Sequence, residues 1–115
     1  MKRFDHHAVG VQQGSRVLFA AFDDGGEMWT GHGARESRLE VAFGQSFVGT
    51  PAIHIGLSMW DIDNGDNQRA DISADNITPD GFTIVFRTWG ATRVARVRAD
   101  WLAIGAARHI EDWDV

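Results

Sequence analysis

Carboxylates, histidines, arginines and tryptophans supply the reactive and binding groups of this chain, and their spacing limits what they can do. The densest acidic run is Asp61-Ile62-Asp63-Asn64-Gly65-Asp66. An EF-hand calcium loop needs an oxygen ligand at its fifth position, glycine at its sixth and glutamate at its twelfth. Gly65, Asp66 and Ile72 stand there instead. The run is better read as an Asn-Gly turn with solvated carboxylates, a calcium site of another type being the weaker alternative. The histidines are His6, His7, His32, His54 and His109. His6 and His7 are adjacent, so on an extended chain they point opposite ways and chelate poorly. His54, between Ile53 and Ile55, is expected on the opposite strand face from them as a hydrogen-bonded structural residue. No Ser-His-Asp order, nucleophile elbow or phosphate loop is present. No spacing places two carboxylates at catalytic separation. Without cysteine there is no thiolate metal site and no disulfide. These absences point to a binding protein with no catalytic residue, metal site or cofactor, a small-molecule or metal-dependent enzyme using the His32 loop being the weaker alternative.

The loop from Asp23 to Gly33 combines Asp23, Asp24, Glu27, Trp29 and His32 with four glycines. Acceptors, one aromatic and a permissive backbone suit a ligand site, though the same mixture also makes a plain connection. Arg87, Arg93, Arg96 and Arg98 form a local basic group in a chain whose net charge is −5. An acidic chain has no general attraction for phosphates, so nucleic acid is not an expected partner. No segment approaches the ~18 consecutive apolar residues of a spanning helix, so membrane insertion is not expected. The N-terminal Met1-Lys2-Arg3-Phe4-Asp5-His6-His7 lacks an apolar stretch behind its charges. It is read as no signal peptide, implying a cytoplasmic protein or one released by a non-classical route.

The elements that must position these groups are strands. The 115 residues suffice for a single domain (1–115), and 43% apolar content can fill its core. Ser15 to Phe22 is an apolar run ended by Asp23-Asp24-Gly25-Gly26, a turn signal. Leu39, Val41 and Phe43 alternate with polar residues, the period of a half-buried strand. Ala52 to Trp60 is nearly continuous apolar and suits a central strand. Ala70, Ile72 and Ala74 alternate with Arg69, Asp71 and Ser73, and Asp75 to Gly81 reads as a turn. Phe82, Ile84 and Phe86 then alternate with Thr83, Val85 and Arg87. After a Trp89-Gly90 corner, Ala95, Val97, Ala99 and Trp101 alternate with Val94, Arg96, Arg98 and Asp100. Short strands at regular spacing predict an all-β sandwich or barrel. A helix is hard to place; only the tail, residues 106–115, has room for a turn or two.

Five pieces stand in an order that resembles the H-type lectin domain, the fold of snail agglutinins and of the C-terminal domain of slime-mould discoidins. Phe43-Gly-Gln-Ser-Phe47 leads to Pro51, and Ile53-His-Ile-Gly-Leu-Ser-Met-Trp-Asp61 follows. Asn67-Gln-Arg69 opens a strand ending in Asp75-Asn-Ile-Thr-Pro-Asp-Gly81-Phe82. Thr88-Trp89-Gly-Ala-Thr92 precedes Asp100-Trp101-Leu-Ala-Ile104, so the similarity runs from about Arg35 to Ile104. The resemblance implies a six-stranded antiparallel β-sandwich assembled as a homotrimer or hexamer. It also implies multivalent recognition of galactose- or N-acetylgalactosamine-type glycans at shallow sites in the protomer seams.

Carried across position by position, the resemblance makes Arg69 a sugar contact, and its rigid fork of donors suits paired oxygens. The alternative for Arg69 is a carboxylate partner across a seam. Trp89 corresponds to the aromatic that packs on the sugar's C–H face; its alternative is a plug at the end of the sandwich. His32 stands where family members commonly carry Asp, Gly90 where His or Asn is common, and Ala95 where an aromatic begins the last strand. The carbohydrate-binding set is therefore Arg69, Trp89, His32 and Gly90, with Trp60 and Trp101 assigned to the core. The three departures motivate a second reading, a trimeric structural or cell-adhesion module that has lost the usual sugar site. Arg96, Arg98 and Asp100 share one face of the last strand, and Arg87 and Asp71 are expected alongside them. Such a charged face suggests a seam that sets Arg of one protomer against Asp of the next.

Overall fold

The computed structural model describes residues 1–5, 7–20 and 26–109. Six strands form two three-stranded antiparallel sheets. They are β1 (Ala8–Ala20), β2 (Arg35–Ala42), β3 (Ala52–Ile62), β4 (Asp71–Thr78), β5 (Gly81–Thr88) and β6 (Val94–Ala107), with one helical turn, α1 (Glu27–Thr30), between β1 and β2. The first sheet has the order β1-β6-β3 and the second β2-β5-β4. The two central strands, β5 and β6, are the most buried, because each is covered by a neighbour on both edges and by the facing sheet. Phe82, Ile84 and Phe86 of β5 meet Val97 and Ala99 of β6 in the interior. The core has two lobes. Met28, Phe86, Val94 and Val97 fill one, while Val41, Phe82, Ile84 and Ala99 fill the other. Trp101 packs there with Phe43 and Phe82, at ring separations of 5.8 and 5.3 Å.

Several expectations change in the folded chain. β1 begins at Ala8 rather than Ser15, because Ala8 to Gly14 pairs with the far half of β6, from Ala107 to Trp101. Residues 21 and 22, where the Ser15 run ends, lie outside the described residues. β2 starts at Arg35, ahead of the apolar alternation, since its early residues pair with the end of β5. The expected turn from Asp75 to Gly81 is mostly strand. β4 continues to Thr78 through a bulge that places Asn76 at φ 51°, and the reversal is confined to Pro79-Asp80. At the C-terminus, Ala106 and Ala107 complete β6, and residues 110–115 lie outside the described residues.

Thr83 and Val85 are buried although they point away from the interior. Arg38 and Asp75 sit opposite Val85 and Thr83 on the flanking strands. Their 2.9 Å ion pair reaches across β5 above both residues. Arg87 likewise contacts Glu36 at 3.0 Å and Asp71 at 3.8 Å. Arg87 and Asp71 therefore cannot line up beside Arg96, Arg98 and Asp100. β4 and β5 belong to one sheet and β6 to the other, so the two charged sets occupy opposite outer faces.

Trp60 also departs from its core assignment and is 60% exposed. β3 is an edge strand, and its pairing with β6 shifts between Leu57 and Met59. The extra residue of this bulge turns Trp60 off the outer face and out into the gap beside β4.

Candidate functional site

Three connections meet at the end of the sandwich above the Met28 lobe of the core: residues 31–34, 63–70 and 89–93. They carry His32, Arg69, and Trp89 with Gly90. Their arrangement rests on buried groups that bind backbone carbonyls. Arg35, 4% exposed at the start of β2, is the principal one. Its Nε donates to Gly33 O at 3.1 Å, and its Nη1 to Met28 O at 3.0 Å and Glu27 O at 3.4 Å. Its Nη2 donates to Thr92 O at 2.7 Å and Gly90 O at 3.2 Å. One planar guanidinium thus ties α1, the His32 loop and the β5–β6 corner together.

The Thr88-Trp-Gly-Ala-Thr92 segment supplies a second clamp. Thr88 and Thr92 are each 1% exposed. Thr88 Oγ1 donates to Arg69 O at 2.6 Å, and Thr92 Oγ1 donates to Asn67 O at 2.5 Å while accepting from Arg69 N at 3.2 Å. Asp63 N donates to Arg93 O at 2.9 Å. Buried hydroxyls need partners, and here the partners are the backbone of the β3–β4 connection. That pairing fixes where Arg69 stands relative to Trp89. Across the site, Arg93 stacks on Trp29 with its guanidinium carbon 4.2 Å from the ring centre, and its Nε donates to Trp29 O at 3.0 Å.

Gly33 N donates to Gly90 O at 3.0 Å, which joins the His32 loop directly to the tryptophan corner. Gly33 and Gly90 both have positive φ, 74° and 69°. At Gly90 the missing side chain also leaves room for Arg69, because a methyl group there would stand 2.5 Å from Arg69 Nη1. The arginine lies against bare backbone, and the adjacent Trp89 is 43% exposed. The four positions expected from the sequence are therefore gathered at one end of one chain. Ala95 is buried in the interior, apart from them. Asp23 and Asp24, of the loop expected to contribute acceptors, lie outside the described residues, as does His6. His54 lies on the strand face opposite Ile53 and Ile55, as expected, and is exposed there on the outer face of the first sheet. Among the described residues, no group of three or more His, Asp or Glu could hold a metal ion. Sequence reasoning missed Arg35, Thr88 and Thr92 as organisers. The signal available for the threonines was their place on either side of the Trp-Gly corner.

The family model of the H-type lectin domain matches residues 38–104. The chain belongs to the H-type lectin domain family. A protein of Fuscovulum blasticum named ATP synthase subunits region ORF 7 is 64% identical over 108 residues, 94% of each chain. A discoidin-1 of Dictyostelium discoideum is 37% identical over 75 residues, 64% of this chain and 30% of that protein. This H-type lectin domain thus matches less than a third of the discoidin's length. The structure of recombinant discoidin II from the same organism covers 94% of this chain and 40% of that one, with a TM-score of 0.75 and 27% identity. The match extends the likeness beyond residues 38–104 to nearly the whole sandwich.

Proposed function

We propose that this H-type lectin domain binds glycans, acting by recognition and not by catalysis, at the end of the sandwich where Arg69, Trp89, Gly90 and His32 meet. The observation that carries this reading is the Gly33–Gly90 hydrogen bond, which gathers onto one chain end the residues that family likeness assigns to sugar. The chemistry suits it. An exposed indole excludes water from a ring's C–H face, and the Arg69 fork offers paired donors to ring hydroxyls. Galactose- and N-acetylgalactosamine-type glycans are the first candidates from the family. Gly90, which leaves its space to Arg69, changes the donors presented to them.

The domain acts multivalently as a homotrimer, because shallow single sites bind weakly and gain from simultaneous engagement. Val9, Val11 and Val17 support such an assembly, being exposed on the outer face of the first sheet. A glycan array tests the binding. The wild type is expected to retain at least one saccharide, and Arg69→Ala and Trp89→Ala to abolish retention while melting within a few degrees of it. Variants that lose folding together with binding would make both residues structural and favour a trimeric adhesion module without a sugar site.

A further inference from the structure

Beside the candidate site, β3 and the connection that follows it leave a groove of about 320 Å³ lined by Leu57, Trp60, Ile62, Gln68 and Ala70. Trp60 is its most prominent wall. A tryptophan 60% exposed is a cost to a protein with nothing bound, since its apolar surface remains in water. The bulge between Leu57 and Met59 decides on which side of the edge strand Trp60 lies. In regular alternation Trp60 would share the outer face with His54 and Ser58; the bulge instead pairs it with Val97, an interior residue of β6, and leaves it in the gap. Bulges that re-aim a side chain gather next to binding sites.

The segment that carries Arg69 also forms one wall of the groove. Gln68 and Ala70 flank Arg69 in the chain, and the hydrogen bonds of Thr88 and Thr92 hold this segment in place. Gln68 brings two amide donors and one acceptor to an otherwise apolar wall. One broad aromatic face with a few polar groups at its rim suits a pyranose ring. The volume lies at the lower end of the ~300–1,000 Å³ of small-ligand pockets. Five lining residues fall well short of the ~800 Å² per partner of a stable protein interface.

We propose that this groove is a second saccharide subsite, which receives the sugar adjoining the one held at Arg69 and Trp89. The domain then recognises an oligosaccharide rather than a single terminal sugar. This inference rests on the carbohydrate reading above, and the experiment separates the two. Wild type, Trp60→Ala and Trp89→Ala are applied to an array carrying galactose and N-acetylgalactosamine alone and extended by one to three sugars. Each protein is also sized by light scattering. The wild type is expected to prefer extended forms by roughly five- to tenfold, the size of one exposed aromatic contact. Trp60→Ala should erase that preference and leave monosaccharide affinity unchanged, whereas Trp89→Ala should lose both. Equal wild-type affinity for single and extended sugars, or a preference that survives in Trp60→Ala, would overturn the subsite and leave the primary site standing. A lower assembled mass for Trp60→Ala would assign the groove to contact with a second copy and overturn it as well. A wild type that retains no saccharide would overturn both readings.

Discussion

Arg35 shows how a charged side chain can be structural through carbonyl groups alone among the described residues. Its donors converge on five carbonyls, from Glu27, Met28, Gly33, Gly90 and Thr92, so it substitutes for the strand pairing that three irregular connections cannot provide. Replacing it with Met would leave buried carbonyls without donors, each costing about 1–3 kcal/mol. Arg35→Met is expected to lose on the order of 3 kcal/mol in urea denaturation. Arg35→Lys should recover only part, because a point ammonium has three donors and cannot span the same fork. Equal stability of Arg35→Met and wild type would show that the loops hold themselves. Nothing in the sequence distinguishes Arg35 from its neighbour Arg38, yet one is buried among carbonyls and the other exposed on a sheet face.

At the scale of elements, each outer sheet face carries a carboxylate whose titration reports its partners. Arg38 donates to Asp75, as does the backbone N–H of Asn76, and together they hold its carboxyl below the usual aspartate range. The Ser15 hydroxyl, and then that of Ser58, at 2.6 and 2.8 Å, hold Asp100 below it too. A depressed folded value means that the native state favours the ionised form. Its contribution is fully present above the ordinary aspartate value of about 4 and is lost as pH falls through the lower folded value. Melting temperatures of Asp75→Asn and Asp100→Asn, taken from pH 7 to pH 2, should therefore lie below the wild type at neutral pH and converge on it in acid. Parallel curves would show that neither carboxylate is stabilised by the fold. Alternation alone marked β6 correctly, with Arg96, Arg98 and Asp100 outside and Val97 and Ala99 inside. The apolar run of β3, expected to be a central strand, is instead an edge strand whose bulge exchanges the faces of its later residues.

For the whole molecule, the trimer proposal turns on the outer face of the first sheet. Its charges are already engaged within the chain. Arg96 contacts Asp61 at 3.5 Å, Arg98 Nε donates to Ser58 Oγ at 2.9 Å, and Asp100 accepts from two serines. The apolar residues of the same face are not so covered: Val9 and Val11 are exposed and pair across β1–β6 with Ala106 and Ile104. In the proposed trimer, burial of this strip would be the stronger drive to assembly, since surface ion pairs contribute little. Light scattering coupled to size exclusion should give three times the 12.7 kDa chain mass. Val11→Asp should dissociate the assembly more completely than Arg98→Glu, and a change at Lys2 should leave it intact. A wild-type mass near 12.7 kDa at every concentration would end the trimer proposal.

What could be read along the chain was whatever local periodicity and order encode. Alternation marked the residues of β5 and β6 as strand, and five short pieces in sequence identified the lectin family, because pattern and order survive without knowledge of contacts. Which strands lie at the centre of each sheet did not show, and Ala52–Trp60, expected there, is an edge. The positions of Arg69, Trp89, Gly90 and His32 could likewise be named, but not their proximity. That proximity depends on the guanidinium of Arg35 and the hydroxyls of Thr88 and Thr92 reaching carbonyls up to 57 residues away, between Arg35 and Thr92. The exposure of Trp60 and the division of the charged residues between two opposite faces were equally hidden. Both follow from which strands share a sheet and where the ladder slips by a residue. Strand pairing is a long-range choice made by the packed core, and local composition carries no record of it.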